Sequence, residues 1–240
     1  SAICPARVAA VLLVSLTPAV SAQPIVPVQD RYQRITPSEP SEYMFFGDAL
    51  AIDATTAVVG APNEPAIDGI PRGVVHVYEY DATSGPAWNH AQDLVSPDGG
   101  ASHNFGSAVA LRGDTLVVAD NYAENANGVG GGSVYIYARE LGTWVHTATI
   151  IEDNGVVAGY FGWSIAIDED AQHLLVSNGG NDLLTPGSVW VYDISNPQQV
   201  VFLRKISFPG TEGYPFFGFS LALHGTTAVI GAPEEDVADR

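Results

Sequence analysis

The sequence predicts an all-β fold built from tandem four-stranded antiparallel units. Three observations carry this reading. A Phe-Gly pair recurs at Phe46-Gly47, Phe105-Gly106, Phe161-Gly162 and Phe217-Gly218, at spacings of 59, 56 and 56 residues. Each pair opens the same succession of short apolar strands separated by turn residues. No segment carries a helical period of 3.6 residues. Near-constant register over four copies marks a repeat architecture.

The first strand of each unit alternates. Leu50 and Ile52 lie opposite Ala49 and Ala51; Val109 and Leu111 lie opposite Ala108 and Ala110. Ile165 and Ile167 face away from Ser164 and Ala166, and Leu221 and Leu223 away from Ser220 and Ala222. One face is bulky and the other is Ala or Ser, so both are expected to be buried, with the small face admitting close approach of a neighbouring sheet. A tight turn leads to a second apolar strand, Ala57–Ala61, Leu116–Asp120, Leu174–Asn178 and Ala228–Ala232. After a longer polar loop, a third strand begins at Gly73, Gly132 and Gly187, with β-branched and aromatic alternation. A looser, more polar fourth strand follows near 88–95, 144–151 and 200–208, as suits an outer edge. Four antiparallel strands per unit, in tandem, describe the blades of a β-propeller.

The Phe-Gly starts, with Gly60-Ala61-Pro62 and Gly231-Ala232-Pro233, resemble the two halves of the FG-GAP motif of integrin-type propellers. Units two and three keep Phe-Gly and replace Gly-Ala-Pro by Ala119-Asp120-Asn121 and Ser177-Asn178-Gly179. The resemblance spans roughly residues 44–236. It implies an extracellular propeller, usually of seven blades, used for recognition or adhesion. The expected layout is a signal peptide at 1–22, a linker at 23–43 and repeats at 44–104, 105–160, 161–216 and 217–240. Three and a half blades suggest a fragment whose remaining blades belong to a longer chain.

The family implies Ca²⁺ in the hairpin between the first two strands. Such a loop needs several carboxylates at alternate positions plus a Gly. Here the hairpins offer only Asp53-Ala54-Thr55-Thr56, Arg112-Gly113-Asp114-Thr115, Asp168 to His173 and His224-Gly225-Thr226-Thr227. They are too short or too poor in acid, so the calcium loop is not carried over. The Arg112-Gly113-Asp114 tripeptide reads as turn chemistry, because Gly and Asp are expected at that hairpin.

The loops between strands two and three are longer and rich in oxygen. Glu64, Asp68, Asp120, Glu124, Asp182, Glu234 and Asp236 are the candidate ligand-binding residues, and Ca²⁺ is conceivable only there. Antiparallel order places these loops on one face with the segments joining blades, which contribute Tyr160, Tyr214 and Phe216. Aromatics of this kind are enriched at binding surfaces.

No catalytic arrangement is legible. The histidines at 76, 90, 103, 146, 173 and 224 show no metal-ligand spacing, and His76 holds the strand position of Tyr135 and Trp190. The sequence holds no nucleophile elbow, P-loop or zincin pattern. The reading is therefore a non-enzyme without cofactor. The alternatives are an accessory propeller of an exported enzyme and a purely architectural repeat.

A net charge of −18, with 9 basic residues, speaks against nucleic acid as a partner. A protein or glycan partner is expected. Export is expected from Arg7, the apolar run Val8–Leu16, Pro18 and the small residues Val20-Ser21-Ala22. That run is too short to span a bilayer, so no membrane insertion is expected once it is removed. Cys4 leaves with it, so the mature chain has no disulfide.

Overall fold

The computed structural model describes residues 11–14, 32–37, 44–66, 68–83, 87–98, 104–123, 131–152, 160–179, 187–208 and 216–233. Among them every regular element is a strand, and no helix is long and apolar enough to cross a membrane. The first blade is β3 (Ala49–Asp53), β4 (Thr56–Ala61), β5 (Val74–Asp81) and β6 (Ala87–Val95), in that order across the sheet. The second is β7 (Phe105–Arg112), β8 (Thr115–Asp120), β9 (Ser133–Glu140) and β10 (Thr143–Ile151). The third is β11 (Ile165–Ile167), β12 (His173–Ser177), β13 (Ser188–Asp193) and β14 (Val201–Ser207). A fourth begins with β15 (Leu221–His224) and β16 (Thr227–Ile230). All pairings are antiparallel.

The Phe-Gly motif has a structural explanation in two parts. The ring packs on the third strand of its own blade: Phe46 on His76, Phe105 on Tyr135 and Phe161 on Trp190, at centroid distances of 5.3, 5.6 and 5.4 Å. The glycine sits at φ near 90° in a turn closed by Asp48 N–H to the Phe45 carbonyl, and likewise in the later blades. L side chains avoid that conformation. A Cβ on Gly106 would also lie 2.9 Å from Val75 of the preceding blade. The third-strand glycine completes the joint. A Cβ on Gly73 would lie 2.1 Å from the Phe105 carbonyl oxygen, and one on Gly132 2.1 Å from that of Phe161. Phe105 N–H and Phe161 N–H in turn donate to Arg72 and Gly131. Backbone thus meets backbone between consecutive blades.

The core lies between blades. Val58, Val75 and Val77 of the first blade pack with Phe105, Leu116, Val118 and Tyr135 of the second, all buried. A matching cluster joins blades two and three through Val117, Val134, Ile136, Leu174, Val176 and Trp190. Each such fully buried side chain stabilises by about 1.5–3 kcal/mol. The inner strands β7 and β11 are buried or half-buried as expected. β3 departs from the expectation: Leu50 and Ile52 are each 54% exposed, because no described residue covers their face.

The segment read as a linker contains a strand. β2 (Tyr32–Ile35) pairs with β1 (Val11–Val14), part of the expected signal peptide, whose other residues lie outside the described ones. β2 also docks on the first blade as a fourth strand would. Gln33 donates to the Trp88 carbonyl at 2.8 Å and accepts from Trp88 N–H at 2.7 Å. Gln92, on the outer strand of blade one, makes the same two bonds to Trp144 of blade two, at 3.0 and 2.9 Å. Ile35 is buried against Phe46 and Val59. β2 therefore occupies the place of an outer strand preceding blade one. Sequence reading missed it because four residues without a Phe-Gly start show no register.

Candidate functional site

Three regions hold chemistry worth weighing. The first is the long-loop face. Tyr122, at the start of a two-to-three loop, stacks edge-on against Tyr160, in the segment entering blade three, at 4.9 Å. Their hydroxyls lie 3.3 Å apart. Tyr160 meets Trp163 at 6.3 Å, and Trp163 meets Phe219 of the fourth blade at 5.7 Å. An aromatic ridge thus runs across three blades, with Tyr122 and Phe219 nearly half exposed. Phe45, Tyr160 and Phe216, each preceding a Phe-Gly pair, have left-handed φ of 54°, 48° and 49°. Bulky residues pay strain there, as residues at recognition surfaces often do.

The candidate acids fare unequally. Asp68 is exposed, accepts from Ile70 N–H and pairs with Arg72 at 2.6 Å. These bonds hold its carboxyl below the usual carboxylate range. Asp120 is fully buried and accepts from the amides of Asn104 and Tyr122, tying the loop to the start of its own blade. Glu64 is buried and turned inward onto His76. Neither presents a carboxylate to the rim. Glu124, Asp182, Glu234 and Asp236 lie outside the described residues, as does Tyr214.

The second region is a cleft of about 300 Å³ among the four inner strands. Ala51, Ala110, Ala166 and Ala222, the same position in each unit, line it, with Arg112 at its edge. Ile52, Leu111, Arg112 and Leu223 in its lining put it beside the short hairpins, where the tight turns suggest little room. The hairpin acids there serve the fold. Asp53 accepts from Gly113 N–H of the next blade, and Glu169 from Gly225 N–H at 2.8 Å. Asp168 closes its own turn through Gln172 N–H, His173 N–H and the His173 ring. The Arg112-Gly113-Asp114 tripeptide lies in the β7–β8 hairpin of blade two, with the Asp114 carbonyl accepting from Arg139 N–H.

The third region is a cluster on blade one. His76 is buried, with Nε2 at 2.8 Å from Glu64 Oε2 and Nδ1 at 2.7 Å from Asp93 Oδ1. His90 Nε2 lies 2.6 Å from the same Asp93 oxygen. Burial alone would lower the His76 pKa, but hydrogen bonds to Asp93 and Glu64 and their charges push it up to about 9. Spacing could not reveal this cluster. Residues three apart on a regular strand face opposite ways. A β-bulge in β6 skips Ala91, between the partners of Val77 and Tyr78, and turns His90 to the side of Asp93.

The comparison with known families bears on the whole. Residues 30–78 and 88–137 match the FG-GAP repeat family model. Over these two segments the chain carries FG-GAP repeats. The matched segments begin near β2 and β6, so the family unit pairs an outer strand with the three inner strands of the next blade. The Gln33 and Gln92 clasps give that offset its physical sense. No curated protein matches the chain.

Proposed function

We propose that this FG-GAP repeat chain is an exported recognition module that holds a basic protein partner on its long-loop face. The observation that supports it is the ridge Tyr122–Tyr160–Trp163–Phe219, which three blades build together and which leaves Tyr122 and Phe219 nearly half exposed. Partly exposed aromatics give contact area at low entropic cost, and net charge −18 favours a basic partner. Export follows from residues 1–22 of the sequence. N-terminal sequencing of secreted protein should then start near Gln23; a mature chain starting at Ser1 overturns export.

The face is tested by binding to extracellular basic proteins immobilised one by one, with a glycan array beside them. Tyr122→Ala with Trp163→Ala should weaken binding at least tenfold. Asp53→Ala with Asp114→Ala, on the opposite face, should change it less than twofold. A larger loss from the second pair, or binding confined to glycans, overturns the reading.

A further inference from the structure

We propose that His76 Nδ1, His90 Nε2 and Asp93 Oδ1 form a Zn²⁺ site on the outer half of blade one. The three donor atoms lie within 4.8 Å of one another. Two imidazoles and a carboxylate form a donor set that suits Zn²⁺, and three protein ligands leave a tetrahedral position for water. His90 and Asp93 are 48% and 45% exposed in their side chains, so that position faces solvent.

Three features go beyond proximity. Glu64 sits on the far nitrogen of His76, where it would accept a hydrogen bond from Nε2–H and leave Nδ1 to the metal. A carboxylate behind a ligating imidazole fixes its tautomer and orientation. Next, the β6 bulge aims His90 at Asp93. Finally, the ligands differ in freedom in the useful way. His76 is fixed in the core, while the half-exposed His90 and Asp93 have room to part. Their present 2.6–2.7 Å separations would open to about 3.3 Å around an ion with bonds near 2.0 Å.

The equivalent positions elsewhere lack the donor set. Blade two has Tyr135, His146 and Thr149, with His146 Nε2 at 2.9 Å from Thr149 Oγ1. Blade three has Trp190, Phe202 and Lys205, with the lysine ammonium 4.3 Å from the indole centroid. Ala123 stands where blade one has Glu64, since both carbonyls accept from the glycine that opens the third strand.

The test is titration of the chelator-treated full chain with Zn²⁺ alone by calorimetry, and with Co²⁺ by visible absorption. One ion per chain should bind, and Co²⁺ should give the intense bands of a low-coordinate site. His90→Ala and Asp93→Asn, both at exposed positions, should each lower Zn²⁺ affinity at least about 100-fold, with unchanged circular dichroism. Glu64→Gln should lower it about 10–100-fold. His146→Ala in blade two should leave it unchanged. No binding by the parent chain, undiminished binding by His90→Ala, or an equal loss in His146→Ala overturns the site.

Discussion

Blades one and three share a backbone and differ in what they hang on it. In both, the outer strand bulges at the same repeat position, at Ala91 and Leu203, and blade two bulges at Thr147. In both, the Phe of Phe-Gly packs on the third-strand ring, Phe46 on His76 and Phe161 on Trp190. Yet the side chains gathered by the bulge are His90 and Asp93 in one blade and Phe202 and Lys205 in the other. Blade one therefore holds a buried imidazole between two carboxylates, and blade three an indole under an ammonium. The repeat specifies a scaffold; the chemistry varies freely on it. Backbone changes should injure all blades alike, and side-chain changes should injure only one.

The largest effect is expected at the shared joint. Gly73→Ala and Gly132→Ala each place a Cβ 2.1 Å from a carbonyl oxygen of the next blade, at φ of 84° and 85°. Backbone has nowhere to move without opening the seam, so each should cost on the order of 3 kcal/mol or more. Gly113→Ala also lies at positive φ, 53°, but meets nothing within 4 Å. It should cost about 1 kcal/mol. Urea unfolding measures all three. A mild Gly73→Ala beside a severe Gly132→Ala would show that the blades are not built alike.

The next effect separates blade one from blade two. Glu64→Ala leaves a buried imidazole short of a partner and should cost about 3 kcal/mol. Adding His76→Tyr gives blade one the pair that blade two uses, Ala123 and Tyr135. The double variant should regain at least about 1 kcal/mol, a coupling typical of residues in one network. Unfolding in the presence of chelator isolates the protein term. Strict additivity would mean that the two side chains do not act together.

These cases also show what the sequence could and could not disclose. Phe-Gly and the third-strand Gly are legible because one backbone joint demands them in every blade, so their spacing repeats. The long-loop face is legible because antiparallel order alone decides which loops share a side; the Tyr122–Tyr160 stack follows from that order. The inward turn of Glu64 was hidden, because its partner depends on a single His in a slot otherwise aromatic. The His90–Asp93 pairing was hidden by the bulge, which breaks the period on which strand reading relies. Asp120 looked like a rim acid because a capping carboxylate and a ligand carboxylate are the same letter.

A pH measurement probes blade three. Burial alone would raise the pKa of Asp168, but the His173 amide, the His173 ring and the Gln172 amide outweigh it and hold the carboxyl below its ordinary 3.8. A folded pKa below the unfolded one adds stability above the unfolded value and loses it as pH falls. Stability should therefore decline from about pH 4 downward, and Asp168→Asn should flatten part of that decline. At pH 7 the variant should cost about 1–3 kcal/mol, from amides left with weaker acceptors. Unfolding curves from pH 2 to 7 check both. An unchanged acid limb would assign the acid sensitivity to other carboxylates.

The smallest effect compares the two glutamine clasps. Gln92 exchanges two hydrogen bonds with the backbone of Trp144, and Gln33 exchanges two with Trp88. Both are part-buried, so Gln92→Ala should cost about 1–2 kcal/mol, one ordinary net contribution per bond. Gln33→Ala should cost less in global unfolding, because among the described residues β2 has only β1 as a ladder partner and a two-stranded ribbon is marginal alone. Its effect should appear locally instead, as roughly tenfold faster exchange of the Trp88 amide, the open-state change that about 1.4 kcal/mol produces. The Trp144 amide should respond in the same way to Gln92→Ala and not to Gln33→Ala. If Trp88 exchange is indifferent to Gln33, β2 is a tether beside the first blade rather than an outer strand docked on it.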